Sequence, residues 1–255
     1  MINDINRNQF ILDYRLSPQE MCEEILNRHR DTVRIQKPKV AVAKLQRIVT
    51  AALSIANHEG FHAMTLRALA QKSGLSMGAL YAYFDSKETL AMMILGQVHA
   101  VVERVFTAPP EATTDPRALL HWLLHSHVLL TDVLQPWFLF VFMEARFFQK
   151  EARDYALDSE LFTEQRLYDV LVQGAAQGVF DIVDPRMTAA LIKPLLQDWY
   201  VKAWKYRRRG ISVERYAEEI TRFVEQSVCR PEGLRQPDAA AGVPVRRRSL
   251  RPLRA

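Results

Sequence analysis

Apolar residues recur three and four positions apart along almost the whole chain, and no long stretch alternates between apolar and polar positions. Such spacing places apolar side chains on one face of a helix, whereas alternation would indicate a strand. The 255 residues include 9 glycines, so helix breaks are expected to be few. The sequence therefore predicts an all-α protein without internal repeats.

Helix-start signals define the first elements. Ser17, Pro18 and Glu20 have the spacing of a capping box, followed by an apolar stripe through Met21 and Ile25. This pattern predicts one amphipathic helix in an N-terminal extension, residues 1–39.

Two short helices are predicted after a longer one over residues 40–58. Thr65 has the position of an N-cap for a helix over 66–73, and Ser76 for a helix over 77–84, with Gly74 between them. Two short capped helices joined at a glycine are typical of a helix-turn-helix, whose second helix fits the major groove of DNA. We therefore assign residues 40–90 to a three-helix helix-turn-helix domain.

The stretch TAPPEATTDP is the clearest internal linker, and long amphipathic patterns follow it. They predict a larger helical domain over residues 91–229, with helices at about 116–134, 137–156, 159–178, 186–208 and 213–229.

The charge distribution changes how the net charge of +5 is interpreted. Residues 230–255 carry seven Arg against Glu232 and Asp238, so this Pro- and Ala-containing tail alone accounts for the excess and is expected to be disordered. Residues 40–90 sum to +2 and residues 91–229 to −3, which favours an anionic partner for the smaller domain. Cys22 and Cys229 lack metal or redox spacing and are expected to be reduced.

The stretch MGALYAYF carries no charge, which suits a helix that approaches base edges. Leu80 and Phe84 are four apart and are expected to point inward. Tyr81 and Tyr83 are two apart and cannot share one helix face, so at least one of them should face outward. The side predicted to face the groove comprises Met77, Gly78, Ala79 and Tyr81.

These residues resemble the DNA-binding domain of TetR-family transcriptional regulators, over about one-fifth of the chain. Ala68 departs from the family pattern, in which this position is often charged. The matching positions are Thr65, Leu69, Ala70, Gly74, Leu75, Ser76, Leu80, Tyr81, Tyr83, Phe84, Lys87 and Glu88.

The resemblance implies that Tyr83 and Lys87 contact phosphates, that Thr65 lies near a phosphate, and that Arg67 reaches a guanine or the backbone. Free N–H groups at helix N-termini would support such contacts. The predicted DNA-binding residues are Lys44, Arg47, Thr65, Arg67, Ser76, Met77, Gly78, Ala79, Tyr81, Ala82, Tyr83 and Lys87.

The resemblance further implies a C-terminal bundle that binds a small-molecule effector and dimerises through its last two long helices. The protein is then a ligand-responsive regulator, most often a repressor, which binds a palindromic operator in double-stranded DNA as a homodimer. The predicted dimerisation residues are Leu191, Leu195, Trp199, Tyr216, Ile220, Phe223 and Val224. The predicted pocket residues are Trp122, His125, Leu129, Phe142, Met143 and Tyr168.

Three alternatives remain open at this point. His121 and His125 have the spacing to bind a metal with Glu144 as a third ligand, although ordinary structural histidines are commoner. The N-terminal helix could dock on another protein or on the bundle. The basic run from Lys202 to Arg209 is either a solvated helix end or an anion site for an acyl carrier such as coenzyme A, which would make the effector acyl-type.

Several classes of function are not indicated. The metal hypothesis would make the protein a metalloenzyme, but no HExxH glutamate lies between His121 and His125, so we expect neither an enzyme nor a cofactor. No apolar run approaches the about 18 residues that a membrane helix needs, and the N-terminus lacks a secretion pattern. We therefore expect a cytoplasmic protein without a membrane partner.

Overall fold

The computed structural model describes residues 6–31, 33, 37–109 and 114–229, which form α-helices apart from loops, one 3₁₀ turn and an isolated antiparallel bridge between Phe180 and Cys229. The predicted tail, residues 230–255, lies outside the described residues. The helices are α1 (Arg7–Asp13), α2 (Pro18–Arg28), α3 (Pro38–Glu59), α4 (Leu66–Ser73), α5 (Met77–Leu80), α6 (Lys87–Thr107), α7 (Pro116–Val133), α8 (Gln135–Glu144), α9 (Lys150–Ala176), α10 (Pro185–Val201), α11 (Ala203–Arg208) and α12 (Val213–Val228).

The N-terminal extension contains two helices, α1 and α2, where we predicted one, and it packs on its own chain. The predicted capping box at Ser17 and Glu20 is confirmed, and the apolar stripe of α2 is buried against α3 and α6. Ion pairs fix the extension further: Arg7 Nε lies 2.7 Å from an Asp132 oxygen, and Arg104 Nη1 lies 3.0 Å from Glu24 Oε1. Of the two docking alternatives, the structure therefore shows docking on the bundle.

Helix α6 lies at the centre of the fold and is long and apolar enough to cross a membrane, contrary to the sequence expectation. Most of its apolar side chains, such as Ile94, Val98 and Val101, are buried by neighbouring helices. A core helix of this kind passes the same length and composition test as a membrane span. The burial therefore accounts for its composition without a bilayer.

The break between the middle helices differs from the prediction. Helix α8 continues as a 3₁₀ turn over Ala145–Phe147, and α9 then runs through the position where we predicted a gap, at residues 157–158. Asp158 and Ser159 resemble a helix start in the sequence, but an exposed or half-buried polar pair is tolerated within a helix. The predicted helix over 186–208 is divided at Lys202 into α10 and α11.

Two glycines inside helices make a matched pair of stability tests. A Cβ on Gly174 would lie 2.0 Å from Cδ2 of the buried Phe180 ring, whereas a Cβ on Gly96 would approach nothing closer than 3.9 Å. We expect Gly174→Ala to lower the free energy of unfolding by about 1–3 kcal/mol through overpacking. Gly96→Ala should raise it by about 0.5–1 kcal/mol, because alanine favours helix. Urea denaturation measures both, and a Gly174→Ala protein as stable as wild type would contradict the packing.

Candidate nucleic-acid interface and effector cavity

The helix-turn-helix is built by two side-chain caps and one left-handed glycine. Thr65 Oγ1 accepts a hydrogen bond from Ala68 N at 3.1 Å, and Ser76 Oγ accepts one from Ala79 N at 3.2 Å. Gly74 ends α4 with φ of 64°, which glycine adopts without steric cost. Helix α5, Met77–Leu80, is shorter than the predicted helix over 77–84, and hydrogen bonds from Tyr83 N and Phe84 N to the Leu80 carbonyl form a turn after it.

The outward side of α5 agrees with the prediction. Tyr81 is 51% exposed and Met77 is 36% exposed, with Gly78 beside them, whereas Leu80 and Phe84 are buried as expected. Of the remaining predicted contacts, Arg67 is exposed, and Thr65 and Ser76 are exposed but also cap α4 and α5. Ala79, Ala82 and Lys44 are half-buried.

The prediction that Tyr83 contacts phosphate is wrong. Its side chain is fully buried, and its hydroxyl donates a hydrogen bond to the Ala41 carbonyl at 3.0 Å. Burial also raises the pKa of the Tyr83 phenol to about 12. Since Tyr81 and Tyr83 cannot face the same way, the outward position goes to Tyr81, and Tyr83 anchors the turn to α3.

Two predicted DNA contacts, Arg47 and Lys87, instead donate hydrogen bonds to backbone carbonyls on either side of α4. Arg47 donates from Nε to the Ser73 carbonyl at 2.9 Å and from Nη2 to the Gly74 carbonyl at 2.8 Å. These carbonyls lie at the C-terminus of α4, where the helix dipole attracts cations.

Lys87, at the start of α6, also bonds to backbone carbonyls. Its Nζ donates to the His62 carbonyl at 2.9 Å and lies 3.4 Å from the carbonyls of Phe61 and Met64. It thereby ties the loop before α4 to the long helix, instead of presenting a free ammonium to phosphate. Sequence spacing could not reveal these carbonyls, because they come from a separate loop.

A cavity of about 330 Å³ lies among α6, α7, α8, α9 and α10. Its wall is mainly apolar, with Val102, Phe106, Leu130 and Phe138 among the side chains that line it. The polar exceptions include His127, Thr131, Glu160, Lys193 and Gln197.

The polar groups of the wall form a linked cluster. Lys193 Nζ lies 3.3 Å from His127 Nε2 and 3.4 Å from Glu160 Oε2, and Gln197 Nε2 donates to Glu160 Oε1 at 2.6 Å. Burial lowers the pKa of His127 well below its ordinary value, and the nearby charge of Lys193 acts in the same direction. Burial also lowers the pKa of Lys193, whereas Glu160 opposes this shift.

The cavity uses a different face of α7 from the one we predicted. Phe142 lines it, but Trp122, His125, Leu129, Met143 and Tyr168 are not among its lining residues. The spacing of His121 and His125 favoured one side of α7 as the cavity wall, whereas His127 and Leu130 line the cavity. The signal that sequence reasoning missed is Lys193, a single charge within the apolar stretch AALIKPLL.

The predicted dimerisation residues separate into a surface group and a core group. Leu191, Leu195 and Phe223 are 65%, 38% and 59% exposed. The prediction is wrong for Trp199, Ile220 and Val224, which are buried within the chain. Tyr216 is half-buried, and the centroid of its ring lies 4.9 Å from that of Trp199. Amphipathic spacing cannot tell a face buried in the subunit from a face that awaits a partner.

The metal alternative lacks its third ligand. The rings of His121 and His125 stack with centroids 4.3 Å apart, but Glu144 is buried elsewhere and accepts a hydrogen bond from Phe61 N. Across the described ranges, no group of three or more His, Cys, Asp or Glu side chains could hold a metal ion.

The basic run after α10 is largely paired within the chain. The Asp198 carboxylate accepts hydrogen bonds from Lys202, Lys205 and Tyr206. Although burial alone would raise the pKa of Asp198, these bonds hold it well below its usual range. Arg207 bonds to Gln135. These contacts favour a structural helix end over an anion site.

A pair of conservative substitutions separates the two tyrosines of the turn. Tyr83→Phe should lower the free energy of unfolding by about 1 kcal/mol, because it removes a buried hydrogen bond to Ala41. Tyr81→Phe should change it by less than about 0.5 kcal/mol, since the hydroxyl is exposed. Chemical denaturation measures both values, and an equal loss in the two variants would contradict the assignment of faces.

Comparison with known proteins places these features in a family. The family described as "Bacterial regulatory proteins, tetR family" matches residues 48–92, and "Tetracyclin repressor-like, C-terminal domain" matches residues 113–228. The chain is 20% identical over 185 residues to the HTH-type transcriptional regulator HbdR of Aromatoleum sp. (strain CIB). The aligned region covers 72% of this chain and 80% of that protein.

Solved structures show the same fold. The ketosteroid transcriptional regulator KstR2 of Mycobacterium tuberculosis superposes with a TM-score of 0.63 at 19% identity, over 78% of this chain and 99% of that chain. AibR in complex with isovaleryl coenzyme A and operator DNA superposes with a TM-score of 0.62 at 18% identity, over 71% of this chain and 97% of that chain. The two family matches together cover more than half of the sequence, and the chain belongs to the TetR family of transcriptional regulators.

Proposed function

We propose that this regulator binds a palindromic operator as a homodimer and represses transcription in the cytoplasm until a small molecule occupies its cavity. The observation that carries the proposal is the exposed, uncharged side of α5, which is held in place by buried neighbours on its other side. Three parts of the molecule support it separately: the exposed side of α5 with the start of α4, which we call the reading surface, an exposed apolar face on α10 and α12, and the cavity.

The reading surface combines close approach with phosphate contacts. Gly78 is exposed and bears no side chain, so the backbone of α5 can come near base edges, while Met77 and Tyr81 provide apolar and hydroxyl contacts. Thr65 and Arg67 stand exposed at the start of α4. A helix N-terminus with an adjacent arginine is a suitable partner for a phosphate group.

The last long helices carry an apolar face that the described residues leave exposed. Met187, Leu191 and Leu195 follow one another at four-residue spacing along α10, and all three are exposed, as is Phe223 on α12. Exposed apolar side chains grouped in this way mark an interface. A second copy is the proposed partner, because a two-fold dimer presents two reading helices about 34 Å apart, which matches adjacent major grooves.

The cavity supplies a site from which binding can be regulated. It lies between α6, which continues from the helix-turn-helix, and α10, which bears the exposed apolar face. A molecule that favours one arrangement of these helices would shift the spacing of the two reading heads. The similar AibR has been solved with a coenzyme A thioester and operator DNA, which is consistent with such a response here.

Substitutions on the reading surface should weaken operator binding without loss of stability. We expect Tyr81→Ala to weaken binding to an operator selected from a random duplex library by about tenfold. Arg67→Ala should reduce the slope of log affinity against log salt by about 1, because one phosphate contact is lost. Arg153→Ala, at an exposed position on α9, is the control. Gel-shift titrations that show equal affinities for Tyr81→Ala and the control would contradict the proposal.

Charge placed on the apolar face should separate the subunits. Leu191→Arg combined with Phe223→Arg is expected to give a monomer by analytical ultracentrifugation, and to reduce operator affinity to the non-specific level. Leu12→Arg, an equally polar change at a position 71% exposed on α1, should leave the dimer intact. A dimer that persists in the double variant, or a wild-type monomer, would rule out this interface.

A further inference from the structure

Lys193 is a buried ammonium in the mainly apolar wall of the cavity. Its side chain is 5% exposed, yet its Nζ lies 3.4 Å from the nearest Glu160 oxygen. Hydrogen bonds between an ammonium and a carboxylate are about 2.7–2.9 Å long. The ion pair is therefore loose for a charge that is so fully removed from water.

Glu160 can leave this ion pair at a lower free-energy cost than Lys193 can. Its side chain is 40% exposed, so its carboxylate can turn to solvent and stay hydrated, whereas Lys193 has no such route. An unpaired buried charge is strongly unfavourable. If another anion took the place of Glu160, the ammonium would keep a partner and the displaced carboxylate would keep its hydration.

His127 is the second polar group of the wall in contact with Lys193. Since an ammonium only donates, Nε2 of the neutral His127 ring accepts from Lys193, and the ring proton resides on Nδ1. His127 Nδ1 is buried without a hydrogen-bond partner among the described residues. A ligand group that contacts the Lys193 ammonium should therefore accept hydrogen bonds and carry negative charge.

We propose that the effector is an amphipathic monocarboxylate, whose carboxylate replaces Glu160 at Lys193 Nζ and whose apolar body lies among Val102, Phe106 and Phe138. The proposal rests on the proposed function for one point only, that the cavity is the effector site. A volume of about 330 Å³ suits a medium-length alkyl chain or a compact ring system. The position already holds a carboxylate, that of Glu160, so its size and its donors fit that group.

The position of Lys193 also connects the ligand to the proposed interface. Residues two positions apart lie on opposite sides of a helix, so Leu191 and Leu195 face away from the cavity while Lys193 faces into it. Replacement of Glu160 would remove the contact between α9 and α10 that this ion pair provides. The ligand would thereby act on the helix that carries the interface.

Calorimetric titration of the full chain with matched ten-carbon probes tests the ligand class. Decanoate should bind about 10- to 100-fold more tightly than 1-decanol, which is the range that a charge-assisted hydrogen bond provides. Decylamine should bind more weakly than either. Equal binding of decanoate and 1-decanol, tightest binding of decylamine, or tighter binding of decanoyl coenzyme A than of decanoate would overturn the proposal.

Two variants test whether the ion pair of Lys193 and Glu160 determines the preference for decanoate over 1-decanol. Lys193→Met keeps the length of the side chain and should abolish the preference for decanoate over 1-decanol. Glu160→Gln removes the competing carboxylate and should raise decanoate affinity by about tenfold, with 1-decanol unchanged. Because Glu160 is part-exposed, this second variant decides the question even if Lys193→Met fails to fold. A lower decanoate affinity in Glu160→Gln would contradict the replacement.

Operator binding, measured separately by gel shift, distinguishes the two proposals. A protein that binds operator but not decanoate remains a regulator with a different ligand class. A protein that binds decanoate with the expected selectivity, but no operator, retains the carboxylate site and loses the proposed function.

Discussion

The reading surface depends on how a four-residue helix is held in place. A helix as short as α5 has no stability of its own, because helix formation requires several turns before it becomes favourable. The buried side chains of Leu80, Tyr83 and Phe84 supply that stability by packing below the helix. Arg47 adds a second constraint by bonding to the carbonyls at the end of α4. Met77, Gly78 and Tyr81 on the outward side can therefore be uncharged and free to contact DNA, since the packing that holds α5 lies on its other side.

The same anchoring connects the reading surface to the rest of the molecule. Helix α6 begins at Lys87, which binds carbonyls of the loop before α4, and later contributes Val98 and Val102 to the cavity. Glu24 of the N-terminal extension pairs with Arg104 on this helix. A single long helix thus contacts the helix-turn-helix, the extension and the cavity, which is the physical route by which a ligand would affect DNA binding.

The sequence predicted most of the helices and the inward residues of the turn, because caps and apolar spacing are local, but it missed α1 and placed a break inside α9. Thr65, Ser76 and Gly74 marked the turn correctly, and Leu80 and Phe84 were placed inside. The errors came from partners that are distant in sequence. The hydroxyl of Tyr83 finds a carbonyl on α3, and that of Tyr216 donates to the Leu195 carbonyl. The cluster around Lys193 was missed for the same reason, since Glu160 and His127 stand on different helices.

Hydroxyl-radical footprinting of the protein, with and without its selected operator, shows which side of α5 faces DNA. We expect Met77 and Tyr81 to be oxidised in the free protein and protected in the complex, while Tyr83 stays unreactive in both. Oxidation of Tyr83 in the folded free protein, or unchanged oxidation of Met77 and Tyr81 in the complex, would contradict this expectation.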